Sequence, residues 1–221
     1  EDDSLGWNNA IITETKMVNL CNSTLDYPDL SKYEILKLSE RSDWGGKIEL
    51  GDVDSTIDEV EVRKFIYEND EKKVSGLAHI PKRCAQCPVI VQIRGYYDRE
   101  KYFPGAGTKR TAIEFARAGF VTLAPDFLGY GESDMPSVDV FEARFQTYTA
   151  AVNLIYSVSS LGDLVDSSRI GVWGHSNGGQ IALTLLEITG KKYSTALWAP
   201  VTAEFPYSVL YYTYDNVDGG A

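Results

Sequence analysis

Cysteine and histidine are scarce in this 221-residue chain, which has three cysteines and two histidines. Cys84 and Cys87 have a C-x-x-C spacing. A zinc site would need two further ligands, and the chain contains only two histidines, His79 and His175. A redox pair would lie at a helix N-terminus, whereas Cys87 leads directly into a predicted strand. No metal site is therefore predicted. Three states of the thiols stay open: a Cys84–Cys87 disulfide, a disulfide from Cys21 to one of this pair, or unreactive thiols, which we favour.

Long apolar segments and an excess of positive charge are also missing. No apolar run approaches the roughly 20 residues that span a bilayer, so no transmembrane helix is predicted. The formal net charge is −11, and residues 1–80 hold 18 of the 32 acidic residues but only 9 of the 21 basic ones. Such a surface repels phosphate backbones, so nucleic acid is not expected as a partner. We interpret the acidic N-terminal part as a solvated face.

Hydrophobic patterning divides the chain into three parts. Residues 1–57 lack sustained periodicity and are interpreted as an irregular acidic arm that contains one short helix or strand. Residues 58–200 alternate between strand and helix patterns and are interpreted as one α/β core. Residues 201–221 are interpreted as the start of a cap or crossing segment.

The predicted core opens with an antiparallel hairpin and continues as strand–helix units. Two β-rich runs, 59–70 and 72–82, are joined by a polar turn, which is typical of a hairpin. Strands that alternate with helices form a parallel sheet with helices on both faces. The fold class is therefore α/β, with a mostly parallel sheet that begins in an antiparallel hairpin. The later strands are predicted at 88–95, 120–127, 169–176 and 194–200, and the helices at 108–119, 138–161 and 177–189.

The most informative motif is Gly-His-Ser-Asn-Gly-Gly at 174–179, which contains the pattern G-x-S-x-G. It lies between a predicted buried strand and a predicted amphipathic helix, as a nucleophile elbow requires. There Ser176 would be lifted above the strand end as the catalytic nucleophile. A Cβ at Gly174 or Gly178 would collide with neighbouring backbone, and Gly179 permits further close approach. Unpaired N–H groups of the first helical turn would face the serine and stabilise an oxyanion.

With this motif the chain resembles the α/β hydrolases over residues 59–200, and within them the prolyl oligopeptidase-like and dienelactone hydrolase-like serine hydrolases. The elbow is similar to that of prolyl oligopeptidases, which also continues Ser-Asn-Gly-Gly. The segment 124–134, Ala-Pro-Asp-Phe-Leu-Gly-Tyr-Gly-Glu-Ser-Asp, resembles the family's loop before the long helix. The resemblance implies an α/β-hydrolase fold that is incomplete at its C-terminus.

The resemblance also implies an oxyanion hole. The main-chain N–H of Asn177 would be one donor. In prolyl oligopeptidases the second donor is a tyrosine hydroxyl from the loop after the first parallel strand, and Tyr96 best matches that position, with Tyr97 as the alternative. An aromatic side chain that only packs over the loop remains the other interpretation. Arg94 and Asp98 of this loop either pair with each other or line the cleft.

No residue of the chain is a suitable triad base or acid. A serine needs a base within hydrogen-bond reach. His79 lies in the hairpin, and the side chain of His175 should point away from the serine that follows it. Asp126 and Asp134 precede the elbow, whereas the family order is serine, acid, histidine; Asp126 is interpreted as a turn or cap residue. The acid and histidine are therefore expected from a segment beyond residue 221, present as a second chain, with an inactive remnant as the alternative.

The resemblance implies a serine hydrolase that forms an acyl-enzyme on Ser176 with a small ester or peptide substrate, without a metal or organic cofactor. We favour a prolyl oligopeptidase-like peptidase that also hydrolyses esters. The N-terminal residues are too few for the β-propeller of the larger peptidases, which leaves a dienelactone hydrolase-type carboxylesterase as an alternative. A non-catalytic binding protein on a hydrolase scaffold is the third interpretation. The absent initiator Met and the C-x-x-C motif favour an exported protein without fixing the compartment.

Overall fold

The computed structural model describes residues 29–201, and the interpretations of residues 1–28 and 202–221 lie outside this range. No helix among the described residues is long and apolar enough to cross a membrane. The strands are β1 (Glu49–Ile57), β2 (Val60–Asn69), β3 (Lys72–Pro81), β4 (Cys87–Ile93), β5 (Val121–Pro125), β6 (Val165–His175) and β7 (Ser194–Trp198), and the α-helices are α1 (Ile35–Glu40), α2 (Lys109–Arg117), α3 (Val140–Ser157) and α4 (Asn177–Thr189). Short 3₁₀ helices cover Leu30–Tyr33, Arg99–Lys101 and Val158–Leu164.

The seven strands form one mixed sheet in the order β1-β2-β3-β5-β4-β6-β7. The pairs β1–β2, β2–β3 and β3–β5 are antiparallel, whereas β4 pairs in parallel with β5 and β6, and β6 with β7. The predicted hairpin is β2–β3. It turns at Asp70 and Glu71, whose φ values of 48° and 65° are those of a two-residue turn that follows the twist of the strands. The predicted fold class is confirmed.

Residues 29–57 hold more regular structure than the one short helix or strand expected within the irregular arm, since they form both α1 and β1. Residues 49–57 pair with β2 and extend the sheet by one edge strand. Seven of these nine residues are exposed, and the register with β2 shifts twice. A strand that buries so few side chains carries no alternating hydrophobic pattern, so periodicity could not reveal it.

Helices cover both faces of the sheet, as predicted. On one face the Gln92 side chain of β4 donates a hydrogen bond to the hydroxyl of Thr111 in α2 (2.8 Å). On the other face the buried Tyr67 hydroxyl of β2 donates to the carbonyl of Ala150 in α3 (3.0 Å), and α4 packs beside α3. The helix predicted at 138–161 is α3, which continues as a 3₁₀ helix after residue 157.

Cys84 and Cys87 form a disulfide, with their Cα atoms 5.6 Å apart. The favoured interpretation as unreactive thiols is therefore wrong for this pair. The chain between them turns at Gln86, whose φ is 54° and whose N–H donates to the carbonyl of Asp163 (3.0 Å). This turn brings the sulfur atom of Cys84 to that of Cys87, the first residue of β4. Cys21 lies outside the described residues.

Candidate active site

Ser176 occupies a sharp turn between β6 and α4. Its backbone has φ 52° and ψ −122°, a conformation that costs a non-glycine residue free energy and persists only where the surroundings enforce it. Its N–H donates to the carbonyl of Trp198 in β7 (3.0 Å), and its carbonyl accepts from the N–H groups of Gly179 and Val201, both at 2.9 Å. The half-buried serine is thus held at the carboxyl ends of β6 and β7.

Three glycines allow this turn because their neighbours leave no room for a side chain. A Cβ at Gly174 would lie 2.7 Å from the carbonyl oxygen of Gly178 in α4. A Cβ at Gly178 would overlap the carbonyl oxygen of Ile93 at the end of β4, and one at Gly179 would overlap the Pro200 ring. The first turn of α4 is therefore pressed against both strands that flank β6.

The loop after β4 passes directly beside Ser176. A Cβ at Gly95 would lie only 3.1 Å from the Cβ of Ser176 and 3.3 Å from Nδ1 of His175. The next residue, Tyr96, has a side chain that is 77% exposed. The main-chain N–H groups of Tyr96 and Asn177 have no hydrogen-bond acceptor among residues 29–201. Two free donors therefore lie near the serine in the chain fold, one on the residue that follows it and one on the residue that follows Gly95.

A buried polar cluster that the sequence did not reveal lies beneath this loop. Its centre is Arg94, which is 6% exposed. Its Nη1 donates to the carbonyl of Gly95 (2.9 Å) and its Nη2 to the carbonyl of Asp126 (2.8 Å). The guanidinium carbon lies 4.2 Å from the ring centre of Tyr130 and 4.7 Å from that of Tyr102. Arg94 therefore does not pair with Asp98, the alternative that the sequence left open.

The carboxyl of Asp126 belongs to the same cluster. It follows β5, is 2% exposed, and accepts hydrogen bonds from the hydroxyls of Ser75 (2.6 Å) and Tyr102 (2.5 Å). Burial raises the pKa of Asp126, while these two hydrogen bonds and the charge of Arg94 act to lower it. A turn or cap residue, the role expected from the sequence, would bond locally; the Asp126 carboxyl instead connects β3, through Ser75, to the loop after β4, through Tyr102. Asp134 instead accepts a hydrogen bond from the N–H of Lys73 (2.6 Å).

Neither histidine is placed to activate the serine. His79 of β3 is completely buried, and its position opposite Thr122 puts it on the face of the sheet that α2 covers. His175 lies along β6 with its ring 6.2 Å from that of Trp173, two residues earlier on the same face of the strand. Within residues 29–201, no cluster of three histidine, cysteine or acidic residues could hold a metal ion. The described site thus offers a strained serine and two free N–H donors.

Comparison with known proteins identifies the fold. Residues 93–193 match the family profile described as the α/β-hydrolase fold. Similar solved structures include acetyl xylan esterase 1 from Thermoanaerobacterium sp. JW/SL YS485 (15% identity, TM-score 0.63, 86% of this chain and 66% of that one). They also include the S-formylglutathione hydrolase from Agrobacterium tumefaciens (16%, 0.55, 75% and 67%) and an α/β hydrolase from Penicillium sp. sh18 (17%, 0.51, 72% and 55%).

These comparisons define the fold without defining the substrate, because identities this low are compatible with many activities on one scaffold. No curated protein sequence is significantly similar to this chain. The chain spans 66% of the acetyl xylan esterase and 55% of the Penicillium hydrolase. The prolyl oligopeptidase-like subtype stays a prediction.

Proposed function

Because this chain has the α/β-hydrolase fold, we propose that it is a serine hydrolase that cleaves small esters through an acyl-enzyme on Ser176. The observation that carries the proposal is the strained conformation of Ser176 at a strand-to-helix turn, near two N–H groups that have no acceptor among residues 29–201. Strain of this kind is kept where it has a use, and here it exposes a hydroxyl at the end of a parallel sheet.

In the proposed reaction the Ser176 hydroxyl attacks the ester carbonyl, and the resulting oxyanion is bound by the main-chain N–H groups of Asn177 and Tyr96. The N–H of Asn177 begins α4, so the helix dipole also favours negative charge there. For Tyr96 we propose the N–H rather than the hydroxyl. Its main chain adjoins Gly95, which touches the nucleophile, whereas its ring is largely exposed.

The general base and its carboxylate partner are proposed to come from outside residues 1–221. The sequence holds only two histidines, His79 and His175. His79 is completely buried, and the ring of His175 lies along β6 beside that of Trp173. A histidine from a further segment of the same protein, at the carboxyl end of the sheet, would accept the Ser176 proton and later return it to the leaving group. We propose that this segment is present as a second chain.

We favour ester over peptide substrates because two of the similar structures are named as an acetyl xylan esterase and an S-formylglutathione hydrolase. The Ser-Asn-Gly-Gly continuation of the elbow supports the peptidase alternative. Rates on short acyl nitrophenyl esters and on prolyl or aminoacyl anilides, measured with the same enzyme preparation, separate the two. Faster turnover of anilides would overturn the ester assignment.

Replacing Ser176 by alanine tests the whole proposal. The variant should lose ester hydrolysis and labelling by a fluorophosphonate probe, with unchanged thermal unfolding, because it removes one half-buried hydroxyl that bonds to no residue of 29–201. Ser159→Ala, at an exposed serine in the 3₁₀ helix after α3, is the matched control and should behave as wild type. If the full protein, including the segment that carries the proposed histidine, neither hydrolyses esters nor reacts with the probe, the fold serves as a non-catalytic binding protein instead.

A further inference from the structure

We propose that Arg94 is a positioning residue for the oxyanion hole, because its guanidinium fixes the peptide bond between Gly95 and Tyr96. This inference rests on the proposed serine hydrolase function. The residue follows β4 immediately and is almost entirely buried. One of its nitrogens binds the Gly95 carbonyl oxygen, the acceptor that belongs to the same peptide unit as the Tyr96 N–H.

Peptide geometry transmits this contact to the nucleophile. A trans peptide is planar, and its carbonyl oxygen and amide hydrogen point in opposite directions. When Nη1 of Arg94 holds the Gly95 carbonyl toward the protein interior, the Tyr96 N–H must point away from that interior. Because Gly95 lies against Ser176, we infer that this outward N–H faces the space beside the serine. Without the guanidinium, the peptide would be free to rotate about the bonds of Gly95, which glycine permits.

The guanidinium is itself held from several directions. Its Nη2 bonds to the carbonyl of Asp126, so it connects the ends of β4 and β5. The rings of Tyr102 and Tyr130 lie on it, and the buried Asp126 carboxyl lies close enough for the Arg94 charge to lower its pKa. The hydroxyl of Tyr130 donates to the carbonyl of Tyr97 (2.9 Å), which ties the following residue of the loop to the same cluster.

This arrangement is poorly suited to a purely stabilising role. Nε of Arg94 is buried and has no hydrogen-bond partner among residues 29–201. A buried charge with an unsatisfied donor opposes folding, and replacing such groups by apolar residues is often neutral or stabilising. Unlike an apolar side chain, the planar guanidinium of arginine binds two carbonyl oxygens at fixed positions. Orientation of the loop explains why a guanidinium occupies this interior position.

Arg94→Lys tests the inference in the full protein. Lysine keeps the charge but presents a single ammonium that cannot hold both carbonyl oxygens in the same geometry. Loss of one oxyanion donor lowers kcat by about 10²–10³, so a misaligned donor should lower kcat on a nitrophenyl acetate substrate by at least about tenfold, with KM little changed. Arg169→Lys is the matched control. Arg169 also donates to a main-chain carbonyl, that of Gln86 (2.7 Å), but it is exposed and lies six residues before β6 ends.

A second variant keeps the inference testable if the lysine variant does not fold. Arg94→Ala should lose turnover, and millimolar guanidinium should restore part of it by occupying the vacated position, with no such effect on Arg169→Lys. Turnover of Arg94→Lys within twofold of wild type, or a loss shared with Arg169→Lys, would overturn the positioning role. Failure of the proposed function is distinct, because it shows as absence of fluorophosphonate labelling at Ser176 in the wild-type protein.

Discussion

Replacing His79 by leucine tests how the face of the sheet beneath α2 is built. His79 lies in β3 opposite Thr122 of β5, and its side chain is 0% exposed. Neither ring nitrogen has a hydrogen-bond partner in the part of the chain that the structure describes. Burial, together with the positive charge of Lys109, lowers the pKa of this imidazole to about 4. The folded protein therefore holds His79 in its neutral form at all pH values well above 4.

The sign of the pH effect follows from the two protonation states. An unfolded chain has a histidine pKa of about 6.5, so above that pH neither state is protonated and His79 adds no pH dependence. As the pH falls from 6.5 toward 4, the unfolded state binds a proton that the folded state does not, and the free energy of unfolding decreases. The full loss is about 3 kcal/mol, of which about 2 kcal/mol has occurred by pH 5.

Urea unfolding at pH 8 and at pH 5 measures this loss. The difference in unfolding free energy between His79→Leu and wild type should shift by about 2 kcal/mol in favour of the leucine variant on going to pH 5. Asp126, whose pKa burial raises, acts in the opposite direction as the pH falls, but it is present in both proteins and cancels. Thr122→Val changes the same buried face without a titrating group and should differ from wild type equally at both pH values. An identical pH dependence for His79→Leu and wild type would refute the burial of a neutral imidazole.

Two further predictions concern the site. Gly178→Ala should destabilise the protein by about 1–3 kcal/mol in thermal or urea unfolding, because the added Cβ would push α4 away from the end of β4. This steric cost should exceed the gain in helix propensity, which is at most about 1 kcal/mol. Gly46→Ala, where a Cβ would meet nothing within 4 Å, is the control, and equal stability of the two variants would contradict the packing argument. Tyr96→Phe should keep kcat within about twofold of wild type, since the variant retains the main-chain N–H. A fall in kcat of about 10²–10³ would show instead that the Tyr96 hydroxyl is the oxyanion donor.

The turn at Ser176 and the helices beside it could be predicted because their signals are local. The predicted helix 177–189 coincides with α4, which ends at Gly190 in a left-handed conformation (φ 61°). The glycines that flank Ser176 are required by contacts within a few residues or with the adjacent strand. A pattern of this kind fixes both the turn and its surroundings, so sequence alone was sufficient to locate the serine.

The features that could not be predicted depend on pairings between distant residues. Arg94 and Asp126 are separated by 32 positions in the sequence. Nothing in either segment shows that β5 lies between β3 and β4 in the sheet, which is the arrangement that brings the two residues together. Strand β1 escaped detection because an exposed edge strand has no buried face to produce a pattern. The Cys84–Cys87 disulfide depends on the turn at Gln86, where φ is positive. Glutamine has no preference for positive φ, so its presence does not predict this turn.

The two halves of the proposed oxyanion hole are therefore held by different physics. The Asn177 donor depends on close backbone packing, since α4 contacts β4 through Gly178 and the turn at Ser176 is bonded to the Trp198 carbonyl of β7. The Tyr96 donor depends on a buried charge and its polar partners beneath the loop. Packing responds to volume and polar networks respond to hydrogen-bond geometry. Substitutions that preserve charge but change donor geometry should thus affect only the Tyr96 side, and substitutions that add volume should act first on the Asn177 side.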